Sequence, residues 1–250
     1  DPLVVGDPGV AKAGLVERVV SALGGAFPVT IFTDVESDPD ARSVDAGVQL
    51  ARSKECDVIV GIGGGSAMDV AKVIGVMLTN PGNIRDYNGM GKIGQPGAPV
   101  IAIPTTSGTG SELTIWSVLS DKEKKTKFGV GSVLNCARIA LLDPELTMSL
   151  PPAITAATGI DALTHALESY VNTATQPISE AMSEQSMALI ARSLRLAVAQ
   201  PGNKEARADM LLASTIAAMA FNSTRLGLAH AFAMPLGSRF HIPHGLANAI

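Results

Sequence analysis

A chain of 250 residues falls in the range of one or two domains, and 46% hydrophobic residues at a mean hydropathy of +0.28 can bury a sizeable core, which excludes intrinsic disorder. Nineteen Lys and Arg against 23 Asp and Glu give a net charge of −4, and the densest cationic stretch, Lys122 to Lys127, is interrupted by Glu123. A nucleic-acid groove needs a basic stripe, so that class of partner is excluded.

Short apolar runs recur at residues 3–6, 29–33, 57–62, 100–103 and 139–142. They are rich in Val and Ile and apolar on both faces, as strands of a buried parallel sheet are. Helical patterns over 10–23, 40–54 and 66–78 lie between them. This alternation predicts a doubly wound α/β domain with a Rossmann-like parallel sheet. Residues 114–120 and 126–130 flank the charged turn 121–125, which predicts a β-hairpin on the edge of that sheet. After Pro151-Pro152 the strands stop, and helices are expected near 153–171, 177–199 and 204–224. The domain division is placed at 1–147, α/β, and 148–250, all-helical.

Cys56 and Cys136 are the only cysteines and lie far apart, so no disulfide scaffold is expected and a reducing cytoplasm is the default location. The uncharged run 210–224 is too short and polar to span a bilayer, and the run 93–111 is broken by Pro96, Pro99 and Pro104. No signal-peptide pattern precedes the first strand-like run. The chain opens on Asp1, directly before an apolar strand, and stops at Ile250 within a helical pattern, so both ends read as cut.

Two turns have the composition of a phosphate site. The run 57–62 passes into Gly63-Gly64-Gly65-Ser66 and then a helix, an arrangement that points backbone N–H groups and the helix dipole at an anion. Ser66 stands where a G-x-G-x-x-G fingerprint would have its third Gly, and no Gly-Lys-Ser/Thr of a P-loop follows. The glycines alone read equally as a tight strand–helix connection. The second turn, Pro104 to Glu112, carries five hydroxyl side chains and two glycines directly after the strand 100–103. Hydroxyls and free amides there suit phosphate and ribose, and the alternative is a surface Ser/Thr/Gly loop.

The four histidines are His165, His230, His241 and His244. Asp161 and His165 are i and i+4 on the helix expected at 153–171 and share one face. With His230 and His244 they compose an N3O set of metal-ligand type. Taken singly, each His is more often a core or surface residue than a ligand.

In this order the segments resemble the iron-containing (group III) alcohol dehydrogenase family, closest to its lactaldehyde, propanediol and butanol dehydrogenase branch. Gly61 to Asp69 resembles the family's pyrophosphate turn and Pro104 to Glu112 its nicotinamide-side loop. Asp143-Pro144-Glu145-Leu146 with Leu150-Pro151-Pro152 resembles its interdomain passage. Thr158 to Glu168 is similar to its first metal signature, and His230 through His244-Gly245-Leu246-Ala247-Asn248-Ala249 to its second. The resemblance covers essentially the whole chain. It implies a dehydroquinate synthase-like architecture, truncated: an NAD-binding domain lacking its first strands and a metal-binding helical domain lacking its last helices.

Carried over by position, the resemblance assigns Asp161, His165, His230 and His244 as ligands of a divalent metal, Fe(II) or alternatively Zn(II). It places NAD across Gly63, Gly64, Gly65, Ser66, Asp69, Thr105, Thr106 and Thr109, with Lys127 nearby and Asp7 against the adenosine ribose. A carboxylate there bonds a ribose 2′-OH and repels a 2′-phosphate, which favours NAD over NADP. The implied reaction is hydride transfer between NAD(H) and a short-chain primary alcohol or aldehyde, the metal acting as Lewis acid on the substrate oxygen. Many members carry a further His four residues after the third ligand, where this chain has Met234. Met cannot transfer a proton, so that relay is absent, water-mediated or supplied by His241, for which a solvent-facing role is the favoured alternative. The expected partners are the small substrate and further copies of the chain, with no nucleic acid and no membrane. The alternatives are a Zn-dependent glycerol dehydrogenase-type enzyme and a catalytically silent nucleotide-binding or assembly domain.

Overall fold

The computed structural model describes residues 1–25, 28–124, 126–240 and 242–250. The chain divides into two compact units. One comprises residues 1–104 and 115–141, the other 105–114 and 142–250.

The first unit begins with β1 (Pro2–Val5), whose four residues are all buried. Asp7 then caps α1 (Pro8–Lys12), its Oδ1 accepting from the N–H groups of Gly9 and Val10. The single helix expected over 10–23 is in fact two. Gly14 adopts φ +74 between α1 and α2 (Leu15–Ala22), a left-handed conformation that ends one helix and redirects the next. Next come β2 (Thr30–Phe32), α3 (Ala41–Ser53), β3 (Val58–Gly63) and α4 (Gly65–Thr79). β4 (Gly89–Met90), β5 (Val100–Pro104), β6 (Trp116–Asp121), β7 (Thr126–Gly131) and β8 (Ile139–Ala140) follow.

Five strands form an all-parallel sheet in the order β2-β1-β3-β5-β8. Leu3, Val5 and Ile59 from the sheet pack with Val44 and Val48 of α3 and with Val70, Val73 and Ile74 of α4. Burial on both faces explains why these strands read as continuous apolar runs. The hairpin forms, but not on the edge of this sheet. β6 and β7 pair antiparallel and β4 joins β7 in parallel, making a separate three-stranded sheet. The Lys72 ammonium, fully buried on α4, donates to the Trp116 carbonyl at 2.6 Å and so ties this small sheet to the doubly wound core.

The second unit is helical: α5 (Pro152–Val171), α6 (Pro177–Ala199), α7 (Lys204–Thr224), α8 (Leu228–Phe240) and α9 (His244–Asn248). Proline occupies the first position of both α5 and α6, where its missing N–H costs nothing. Ala162, Leu189, Ile190, Met210 and Ala213 form the core where α5, α6 and α7 meet. The buried Arg207 guanidinium bonds Thr155 Oγ1 and the Leu150 and Pro201 carbonyls, fastening α7 to the start of α5. No helix among the described residues is long and apolar enough to cross a membrane.

Candidate functional site

In the helical unit, α5 presents Asp161, His165 and Glu168 at i, i+4 and i+7, which places them on one face, and all three are buried. The first residues of α8 bring His230 over this face. α9 brings His244, and Gly245 makes the approach feasible: a Cβ there would lie 2.0 Å from the Ala157 carbonyl oxygen of α5. Three imidazoles thereby aim at one oxygen. His230 Nε2 lies 3.5 Å, His244 Nε2 3.6 Å and His165 Nε2 4.0 Å from Asp161 Oδ1. Asp161, His230 and His244 each offer a ligand atom within 4.8 Å of the others. His165 stands beside this trio, its ring stacked on His230 at 4.5 Å.

Each approach is held by bonds behind the donors. His165 Nδ1 lies 3.1 Å from the Gly108 carbonyl oxygen and His230 Nδ1 2.6 Å from Glu168 Oε2. A proton on Nδ1 in each ring leaves the Nε2 lone pair facing Asp161, the tautomer a metal ligand needs. Burial pushes His165 down to about 4, with the charges of His230 and His244 adding to it, so it is neutral at pH 7. Burial would raise Asp161, but the imidazoles around it hold its carboxyl well below the usual carboxylate range. His230 shows the reverse balance: burial lowers it, yet Asp161 and Glu168 on either side hold it above the ordinary histidine value.

This donor set fits a divalent cation of N/O preference. The Asn248 amide gives a second indication. Its Nδ2 donates to Asp161 Oδ1 at 2.6 Å and lies 3.2 Å from His230 Nε2 and 3.5 Å from His244 Nε2. Three acceptor atoms thus face one amide NH2 group, while Asn248 Oδ1 is buried with no partner among the described residues.

The expected cofactor residues fall into two groups. In the first unit, Asp7 follows β1 and Gly64 and Gly65 follow β3, at the carboxyl ends of neighbouring parallel strands. The strand order turns back here, β2 lying to one side of β1 and β3 to the other, which is where open α/β sheets bind ligands. Gly63 needs its φ of +148, and a Cβ there would lie 2.7 Å from the Ala67 Cβ and 3.1 Å from Asp7 Oδ2. Gly64 is the N-cap of α4 and offers no side-chain cap, the first turn holds no acidic residue, and Ser66 sits within that turn. Asp69 is occupied otherwise: Oδ2 accepts from the Val118 N–H at 2.8 Å, and Oδ1 lies 3.2 Å from Lys72 Nζ. Lys127 Nζ bonds Asp38 Oδ1 at 2.6 Å.

Thr105, Thr106 and Thr109 lie in the segment that belongs to the helical unit. A Cβ on Gly108 would lie 2.7 Å from Thr158 of α5, and one on Gly110 2.3 Å from Ala218 of α7. The Thr215 hydroxyl donates to the buried Glu112 carboxylate at 2.9 Å. Thr106 Oγ1 is buried with no partner among the described residues, and Thr109 Oγ1 accepts from the Ser111 N–H. Met234 lies one turn after His230 in α8, and His241 lies outside the described residues. The residues that sequence reasoning missed are Glu168, Asn248 and the Gly108 carbonyl. Helical spacing was the available signal for the first two, at i+7 from Asp161 and i+4 from His244.

Comparison with known proteins agrees over both halves. The family model described as iron-containing alcohol dehydrogenase matches residues 1–144, and that of the C-terminal part of the Fe-containing alcohol dehydrogenase family matches 155–250. The chain is 44% identical to long-chain-alcohol dehydrogenase 1 of Geobacillus thermodenitrificans, over 99% of this chain and 63% of that protein. It is 42% identical to the 1,3-propanediol dehydrogenase of Klebsiella pneumoniae, over 99% of this chain and 65% of that protein. Among solved structures, a 1,3-propanediol oxidoreductase superposes with a TM-score of 0.97 at 42% identity, covering 100% of this chain and 65% of that one. A sulfoacetaldehyde reductase from Bifidobacterium kashiwanohense in complex with NAD+ gives 0.94 at 40% identity, covering 99% and 66%. The chain thus spans just under two thirds of the length of these relatives. Since the glycine turn after β3 lies within the first family match and the Asp161, His230 and His244 cluster within the second, the chain belongs to the iron-containing alcohol dehydrogenase family.

Proposed function

We propose that the chain carries the metal and dinucleotide sites of an oxidoreductase that moves a hydride between NAD(H) and a short-chain primary alcohol or aldehyde. The observation that carries this reading is the convergence of three Nε2 atoms on Asp161 Oδ1. Asp161, His165, His230 and His244 would hold Fe(II), or Zn(II) in its place. Such an ion, when bound, supplies Lewis-acid polarisation of a substrate oxygen.

The remaining work falls to the chain. The first N–H groups of α4, which have no side-chain cap, are disposed to receive a pyrophosphate, as the glycines let it approach. Asp7 uses Oδ1 to cap α1, and its Oδ2, on the Gly63 side, supports an assignment to the ribose hydroxyls and hence to NAD. The Thr106 hydroxyl, without a partner among the described residues, is assigned to NAD on the family resemblance. Met234 has no transferable proton, so His241 is assigned the relay on sequence grounds; His241→Ala should lower kcat while leaving metal content unchanged.

The test is anaerobic NADH oxidation with propanal, with Fe(II) or Zn(II) titrated into metal-stripped protein. Turnover should appear with metal and vanish in Asp161→Ala, which should also fail to retain the ion. Intact NADH binding without metal-dependent turnover would overturn the reading in favour of a silent nucleotide-binding protein.

A further inference from the structure

Glu168 is a buried carboxylate outside the Asp161, His230 and His244 cluster, and its hydrogen bonds among the described residues end at His230 or the backbone around it. Oε2 lies 2.6 Å from His230 Nδ1. Oε1 accepts from the Ala229 N–H at 2.7 Å and from the His230 N–H at 3.4 Å, and the Gly227 N–H also bonds the carboxylate. A Cβ on Gly227 would lie 3.0 Å from Oε1, so the chain passes close over the acid as it enters α8. Glu168 therefore satisfies N–H groups at the start of α8 while gripping the ring that α8 delivers.

We propose that Glu168 is the positioning residue of the metal centre: it fixes the tautomer and orientation of His230, and thereby sets the affinity for the ion. The proposal rests on the metal reading above.

Carboxylate chemistry is required here. One oxygen must accept from backbone N–H groups while the other accepts from Nδ1–H. An amide cannot do both. With its oxygen on Ala229, a Gln at this position turns its NH2 toward His230 Nδ1, which must then accept, so the ring proton moves to Nε2 and blocks the lone pair that faces Asp161. Flipped, the amide sets its own NH2 against the Ala229 N–H. A neutral isostere thus keeps the volume and loses the ligand.

The experiment compares the wild-type chain with Glu168→Gln, Glu168→Asp and Asp161→Ala. Zn(II) affinity is read by competition with a chromophoric chelator, thermal stability is read on the metal-free proteins, and the neutral His230 tautomer is read by ring 15N NMR. Glu168→Gln should bind Zn(II) about 10–100-fold more weakly, with the neutral ring protonated at Nε2 rather than Nδ1. Glu168→Asp, which keeps the charge, should restore part of the affinity. Wild-type affinity in Glu168→Gln, or a fall in melting temperature with an unchanged tautomer, would overturn the proposal and leave Glu168 a helix cap. Loss of the Nδ1–H form in Glu168→Gln, in a protein whose wild type binds no Zn(II), would overturn the metal reading while upholding the orientation of His230.

Discussion

Asp161 and His230 each favour the other's charged form. His230 is held above its ordinary value between two carboxylates, so a metal must displace its proton, whereas His165 is already neutral down to about pH 4. Metal affinity should therefore fall as pH drops through the raised His230 titration, with a proton released on binding in that range. Calorimetry of Zn(II) binding in buffers of different ionisation enthalpy checks both sign and stoichiometry; an affinity flat from pH 8 to 5 would contradict it. Gly245 is the second residue with a sharp consequence. Its missing Cβ lets α9 lie on the α5 backbone, so Gly245→Ala should displace His244 and weaken metal binding at least tenfold, with a core-overpacking cost of about 1–3 kcal/mol. Chelator competition and a denaturant melt separate the two effects. At this scale the donor types were legible in sequence, as was the shared face of Asp161 and His165. The meeting of His230 and His244 with that face was implied only by the family resemblance and not by spacing, since it depends on where α8 and α9 dock.

Elements formed largely where apolar periodicity placed them, and the exceptions have local causes. The 10–23 pattern continues in phase across Gly14, but a residue at φ +74 breaks the helix there regardless of periodicity. The hairpin was visible as two strands around a charged turn. Its sheet was not, because β4 has only two residues and carries no alternation to read. Two helix starts offer tests. Asp40 caps α3 through the Arg42 N–H and also accepts from the Lys122 N–H, so Asp40→Ala should cost about 0.5–2 kcal/mol in a urea melt. Burial raises the Asp40 carboxyl, but these bonds outweigh it and leave it below its ordinary value. Its contribution is complete above the unfolded carboxylate range near pH 4 and is lost as pH falls through the lower folded value. At the start of α4, Gly63→Ala meets both a disfavoured φ and the Ala67 methyl. It should weaken NADH binding at least tenfold by fluorescence titration; unchanged affinity would remove the glycine turn from the cofactor site.

Across the whole molecule, the alternation of strands and helices followed by helices alone was set by the order of apolar periodicities, which each segment carries in its own residues. The glycine and hydroxyl turns and the N3O residue types are likewise properties of composition and spacing. Tertiary structure decided what these features face. The strand order β2-β1-β3 puts Asp7 and the glycine turn at one switch point, though more than 50 residues separate them in the chain. Close packing of Gly108 on Thr158 and Gly110 on Ala218 assigns the 105–114 loop to the helical unit, although it follows directly from a strand of the α/β unit. The same docking of helices gathers Asp161, His230 and His244 and puts Glu168 behind them. Periodicity fixes which face of an element is buried, because that is a local free-energy choice; which buried faces meet is decided only when side-chain shapes and buried polar groups from distant segments must be satisfied together.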